Sequence, residues 1–262
     1  MLTIVWMGAA AVCLLMLVLW LIHFAIHNAA IVDAGWAGGL ALLGVLYGVL
    51  GEGWSGRRAM IACMAAFWGL RLALYLFFTR VLGHPEEGRY VQLRREWRTN
   101  IGLKFFFFFE FQALLCVVLS APFLLAAVNL EPQFSPLEFV GATLWCIAIL
   151  GEMVSDGQLA RFKSNPNNRG KTCRVGLWRL SRHPNYFFEW LIWMAFAIFA
   201  LASPYGYIGF LSPALILYFL FKVTGIPATE AQALRSRGEE YRRYQETTSA
   251  FFPWFPKKSP SN

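Results

Sequence analysis

The sequence predicts an all-α, polytopic integral membrane protein: a helical bundle of about seven transmembrane helices, with the N-terminus outside and the C-terminus cytosolic. Three observations carry this reading. Of 262 residues, 58% are hydrophobic and only 15% charged, with a mean hydropathy of +0.49, where a soluble domain of this length carries more charge. The apolar residues fall in long runs rather than in alternation. The basic residues gather in every second connection between those runs.

The apolar runs cover 3–27, 35–50, 58–82, 105–128, 137–155, 187–202 and 207–223. The first lacks a basic leader and is too long for a signal peptide, so it reads as a retained span. A helix needs roughly 20 residues to cross a bilayer, which makes the second and sixth runs short. The 24 Phe and 11 Trp suit side chains that face acyl chains and interfaces. Residues 1–262 read as a single membrane domain, with no internal repeat or linker.

Charge sets the expected orientation. Arg89, Arg94, Arg95, Arg98 and Lys104 follow the third run. Arg161, Lys163, Arg169, Lys171, Arg174, Arg179 and Arg182 follow the fifth. The tail adds Lys222, Arg235, Arg237, Arg242, Arg243, Lys257 and Lys258. Seven spans put all of these on one side, against Arg57 and Arg58 on the other, while Arg71 and Arg80 lie within the third run. The net charge of +8 is therefore a topology signal, and no nucleic-acid recognition motif accompanies it. The five cysteines make no metal-type pair, so neither zinc nor a disulfide framework is indicated.

The connections should be ordered. Residues 164–171 are rich in turn formers. In the tail, Thr229 and Gln232 fit a capping box after Pro227, opening a helix through Arg235 toward Gln245, with Glu239 and Arg243 as an i,i+4 pair. Residues 251–256, with three aromatics and two prolines flanking Trp254, suggest a return to the membrane interface.

Three groups of residues could carry chemistry. Glu152, Asp156 and Lys163 leave the fifth span, and Asp156 and Lys163 are two helical turns apart on one face. Cations there could hold the phosphates of an anionic cofactor. Around the sixth span stand Arg179, Arg182, His183, Asn185, Tyr186 and Glu189. Pro184 disfavours helix at His183, so a helix should begin near Asn185, and Glu189 falls one turn on. Within the membrane lie Asp33, Arg71, Glu110 and Gln112; Arg71 requires a partner, which Asp33 or Glu110 could supply. No GxGxxG follows a strand, and P-loop, HExxH, GxSxG and CxxC patterns are absent, so a nucleotide here would not sit in a Rossmann domain.

With these residues in view, the chain resembles the steroid 5α-reductase superfamily, specifically the DUF1295 branch of mainly bacterial membrane proteins. The similarity runs through Ser155-Asp156-Gly157-Gln158 to Lys163, Gly176-Leu177-Trp178-Arg179, His183-Pro184-Asn185-Tyr186 to Glu189, and Glu240-Tyr241-x-x-Tyr244. In the first half it rests on Asp33-Ala34-Gly35-Trp36, Trp68-Gly69-Leu70-Arg71 and Lys104-Phe105 to Phe108. The resemblance implies a seven-helix fold whose residues 151–256 hold NADPH at the cytosolic side, and a lipophilic enone, isoprenoid or steroid-like substrate entering from the bilayer. Hydride would pass to a conjugated C=C while an acidic group stabilises the developing enolate.

Carried over residue by residue, the cofactor positions are Asp156, Lys163, Asn185 and Glu189, with Tyr241; Arg161, Arg179, Arg182 and His183 beside them complete the expected cofactor-binding set. Lys163 replaces an arginine of the reductases, keeping the charge but losing bidentate geometry. The candidate catalytic residues are Asp33, Trp68 and Tyr186. Trp68 occupies the position of a reductase tyrosine, and an indole can donate a hydrogen bond but cannot act as an acid. Asp33 is the nearest acidic counterpart of the substrate-gripping glutamate.

The chain also resembles isoprenylcysteine carboxyl methyltransferases, through Arg182-His183-Pro184-x-Tyr186 and the Glu240-Tyr241-x-x-Tyr244 tail, which implies S-adenosylmethionine as the alternative cofactor. The Asn185-x-x-x-Glu189 spacing follows the reductases instead. A non-enzymatic lipid- or sterol-binding protein is the third reading. The membrane is expected to be a bacterial inner membrane, or the endoplasmic reticulum in a eukaryote.

Overall fold

The computed structural model describes residues 1–223 and 225–257. Lys258, counted above with the basic tail, lies outside them. Among the described residues the secondary structure is helical apart from one isolated bridge, Ser181 to Ser249. Eleven α-helices follow one another: α1 (Leu2–Ile26), α2 (Ile31–Leu50), α3 (Ser55–Leu76), α4 (Gly88–Trp97), α5 (Ile101–Leu119), α6 (Ala121–Ala127), α7 (Pro136–Ser164), α8 (Pro184–Ala200), α9 (Leu211–Tyr218), α10 (Ile226–Arg237) and α11 (Glu239–Thr247).

Among the described residues, six stretches are long and apolar enough to cross a membrane: Leu2–Ile26, Ile31–Leu50, Ser55–Val81, Ile101–Leu119, Pro136–Ser164 and Gly206–Arg237. The expected sixth run forms α8, which has 17 residues and spans about 26 Å, short of a hydrocarbon core of roughly 30 Å. The protein is therefore an integral membrane helical bundle with six full-length spans and one shorter helix.

The helices group into two compact units, one of Met1–Glu138 with Ala200–Gly209, the other of Phe139–Phe199 with the chain from Phe210. In the first, α2 and α3 meet along a seam of small residues. A Cβ on Gly48 would come within 2.6 Å of Ala62, and one on Gly69 within 2.7 Å of the Ala37 carbonyl. Close backbone approach of this kind replaces the hydrophobic drive that is missing between helices in lipid. At one end Arg57, with its side chain only 1% exposed, donates to Glu138 and to the carbonyls of Asn129, Glu131 and Gln133. That arrangement satisfies a buried charge with a counter-charge and a ring of carbonyls.

In the second unit α7 and α8 also pack through glycine: a Cβ on Gly141 would lie 2.7 Å from the Phe199 amide nitrogen. Pro184 is the first residue of α8, where its missing N–H costs nothing. α7 runs straight on to Ser164, past the expected end of its apolar run.

Several sequence expectations change. Run 35–50 begins earlier, at Ile31, so Asp33 sits in the first turn of α2. Run 105–128 breaks at Ser120, where Pro122 starts a new short helix. The tail helix also breaks: Gly238 adopts φ 54° and separates α10 from α11. There is no capping box. α10 starts at Ile226, and the Thr229 hydroxyl donates back to the Gly225 carbonyl at 3.0 Å. Glu239 pairs with Arg242 rather than Arg243, at 2.6 Å. Phe251 is buried against Phe187, Trp190 and Phe221, while Trp254 and Phe255 stay exposed.

Candidate functional site

The second unit builds a corner where α7, the start of α8 and the tail converge. A short 3-10 turn, Gly176–Arg179, precedes it. Trp178 fixes that turn to α7 by donating its indole N–H to the Ser155 carbonyl at 2.9 Å. The tail then straps the corner. The Ser181 hydroxyl donates to the Phe251 carbonyl at 2.8 Å, the Arg182 amide to Ser249 at 2.8 Å, and the Tyr244 hydroxyl to Trp178 and Ser181. Burial pushes the Tyr244 phenol above its ordinary range.

Arg182 and His183 belong to this strap. Arg182 Nε donates to Glu230 at 2.6 Å and its Nη1 to the carbonyls of Gln245 and Thr248, at 2.9 and 2.6 Å. His183, 3% exposed, places Nε2 at 3.2 Å from the same Glu230 oxygen, and Gln245 donates to the other at 2.8 Å. Tyr186 stacks parallel on His183 with centroids 5.3 Å apart, its hydroxyl 3.3 Å from that of Thr229. Tyr241 is buried beside Tyr244; burial, reinforced by the Glu230 charge, pushes its phenol up to about 12.

The other polar residues form a seam between α7 and α8. Asn185 Nδ2 donates to Asp156 Oδ1 at 3.2 Å. One turn along α8, Glu189 accepts from the Trp193 indole at 3.1 Å. One turn back along α7 from Asp156, Glu152 is buried. Amide, carboxylate and indole groups thus line two facing helices, a set suited to hydroxyl and carboxamide groups. Lys163 extends the Asp156 face by two turns and is exposed, as is Arg179. Arg161 is exposed too, but sits roughly 140° around α7 from Asp156 at 3.6 residues per turn.

The first unit holds a separate cluster around Asp33. The Tyr90 hydroxyl donates to Asp33 Oδ1 at 2.8 Å, Arg89 donates to both, and Arg80 Nη1 lies 3.5 Å from Asp33 Oδ2. Asp33, proposed as a partner of Arg71, is thus engaged by residues from the connection after α3. Tyr90 is fully buried, and burial together with the Asp33 charge raises its phenol well above the ordinary range. Trp68 is fully buried too, edge-on to Trp36 at 6.0 Å, one turn along α2 from Asp33.

Sequence reasoning missed Tyr90 and Glu230. Tyr90 lies inside a connection that reads only as basic, and Glu230 is an unremarked acid in an amphipathic tail. Nothing in their spacing links them to partners 57 and 48 positions away.

The sequence model of a family described as "Protein of unknown function (DUF1295)" matches residues 19–248. An uncharacterized protein of Schizosaccharomyces pombe is 26% identical over 272 residues, covering 90% of this chain and 76% of its own length. No solved structure matches the chain.

Proposed function

The chain belongs to the DUF1295 family, the steroid 5α-reductase-like branch, and on that premise we propose that it is an NADPH-dependent membrane reductase of a lipophilic enone. The observation that carries the reading is the Asp156–Asn185 hydrogen bond with Glu189 one turn further along α8. The donor set fits such a cofactor. Asn185 can donate to and accept from a carboxamide, the Asp156 and Glu189 carboxylates can accept from ribose hydroxyls, and Lys163 supplies positive charge for phosphate. The Glu230 network holds the corner in register, so Arg182, His183 and Tyr241 act by positioning.

When bound, NADPH supplies the hydride that reduces a conjugated C=C. The chain's own residues orient the nicotinamide and exclude water. Within the first unit, the candidate catalytic residue Asp33 is held by the Tyr90 hydroxyl and the Arg89 guanidinium.

The test is titration of the purified protein in detergent with NADPH and, separately, with S-adenosylmethionine. We expect saturable, stoichiometric NADPH binding, weakened about tenfold by Asn185→Ala or Glu189→Ala, the equivalent of one charge-assisted hydrogen bond. Binding of S-adenosylmethionine alone would move the assignment to the methyltransferase reading. Binding of neither would favour a lipid-binding protein.

A further inference from the structure

The C-terminal half of α7 carries two polar faces, and only one of them turns toward Asn185. On the reverse face lies a cleft of about 640 Å³, lined by Val154, Gly157, Gln158, Arg161, Asn168 and Val175 among others. Among the described residues no acidic side chain lines it. The connection between the lining residues Asn168 and Val175 carries Arg169, Lys171 and Arg174, a basic segment.

The lining is graded along the helix. Ile147, Leu150 and Val154 fall on the same side of α7 by helical spacing and are 55%, 60% and 49% exposed, forming an apolar ridge on the membrane-spanning part. That ridge enters the cleft at Val154. Two turns further on, Arg161 closes its polar end, and among the described residues Arg161 makes none of the ion pairs. Gln158 is held in place, accepting from the Leu177 amide at 2.9 Å and packing against Gly176.

Gly157 is the second observation. A glycine in the middle of a helix weakens it relative to alanine, so packing usually explains one. Here a Cβ would meet nothing within 4 Å. The residue is not there to admit a neighbouring helix; it leaves the cleft open.

We propose that this cleft binds a phospholipid with an anionic headgroup, its phosphate held by Arg161 and its acyl chains lying along Ile147, Leu150 and Val154. An apolar ridge leading to an unpaired guanidinium where a helix leaves its membrane span matches an amphiphile's division into tail and charged head, and the planar fork suits a phosphate. The site is distinct from the Asp156–Asn185 seam and does not depend on which nucleotide that seam takes.

The full-length protein would be placed in nanodiscs of phosphatidylcholine and phosphatidylglycerol, and the retained lipid counted by native mass spectrometry. The expected result is about one phosphatidylglycerol per chain, retained over phosphatidylcholine, and reduced about tenfold by Arg161→Gln, as one charge-assisted hydrogen bond is worth. Gly157→Leu, which fills the cleft and leaves every cation in place, should reduce it as much. Lys163→Gln, on the other face, should leave it unchanged. Added inorganic phosphate should not displace the lipid, and neither should NADPH. Equal retention of both lipids would overturn the proposal, as would undiminished retention in folded Gly157→Leu. Displacement by NADPH would give the cleft to the cofactor, and displacement by free phosphate would reduce it to an anion site; either outcome removes the lipid assignment.

Discussion

Arg182 Nε donates to Glu230 Oε1 at 2.6 Å, joining the residue before the α8 corner to a tail helix 48 positions later. Both side chains are nearly buried, at 11% and 15% exposure, and His183 and Gln245 converge on the same carboxylate. Removing the acid leaves a guanidinium and an imidazole facing each other without compensation. Glu230→Ala should therefore destabilise the fold toward the lower end of the roughly 3–5 kcal/mol typical of a broken buried pair. Glu230→Gln, which keeps an acceptor oxygen, should lose less. Thermal unfolding followed by tryptophan fluorescence measures both, and equal transition temperatures for wild type and Glu230→Ala would sink the idea.

Arg57 and Glu138 make a comparable tie in the first unit, with the arginine also serving three backbone carbonyls. Arg57→Ala should cost roughly 3–5 kcal/mol. Arg57→Lys should be nearly as harmful, because one ammonium cannot reproduce the planar fork that serves carboxylate and carbonyls together. A lysine variant as stable as wild type would show that charge alone suffices.

Tyr90→Phe removes the phenol that donates to Asp33, at a cost of about 1 kcal/mol for one hydrogen bond, since Asp33 keeps Arg89 and Arg80. Under the proposed function the same substitution should lower turnover with little change in NADPH affinity, because Tyr90 positions the candidate catalytic Asp33. A variant whose loss lies entirely in cofactor binding would place Tyr90 elsewhere in the mechanism.

The buried tyrosines predict an alkaline limit. The folded chain holds Tyr241 at about 12, above the ordinary phenol near 10, so it favours the protonated form. That stabilisation is complete below the unfolded-state value and is lost as pH rises from about 10 through the folded value. Stability measured against pH should fall in this window, and Tyr241→Phe should flatten the fall. A profile identical in the two proteins would rule out this residue as the cause.

Gly176 has φ 55°, and a Cβ there would collide with the Gln158 side chain. Gly176→Ala should cost about 1–2 kcal/mol from the left-handed backbone alone, plus whatever Gln158 must move. Losing the Gln158 to Leu177 hydrogen bond would also loosen the turn that Trp178 anchors. Limited proteolysis near residues 165–180 reports on that turn, and cleavage no faster than wild type would contradict the expectation.

Part of this was legible one residue at a time. Apolar runs long enough to span a bilayer gave six full-length helices, because in lipid the backbone has little alternative to helix. Pro184 opens α8 and brings Asn185 and Glu189 onto one face, as local backbone rules require. The end of α8 at Ala200 was legible too, within two residues of where its apolar run stops before Ser203-Pro204 and Gly206.

The sequence by itself determined the helical membrane class, the places where basic residues gather and the one-turn spacing of Asn185 and Glu189, since each follows from hydropathy or from spacing along one helix. The tertiary structure alone decided partners. It committed Arg182 and His183 to Glu230 and brought Tyr90 to Asp33. Hydrogen bonds between residues some fifty positions apart depend on how helices pack, and a one-dimensional pattern does not encode which carboxylate a buried cation will meet.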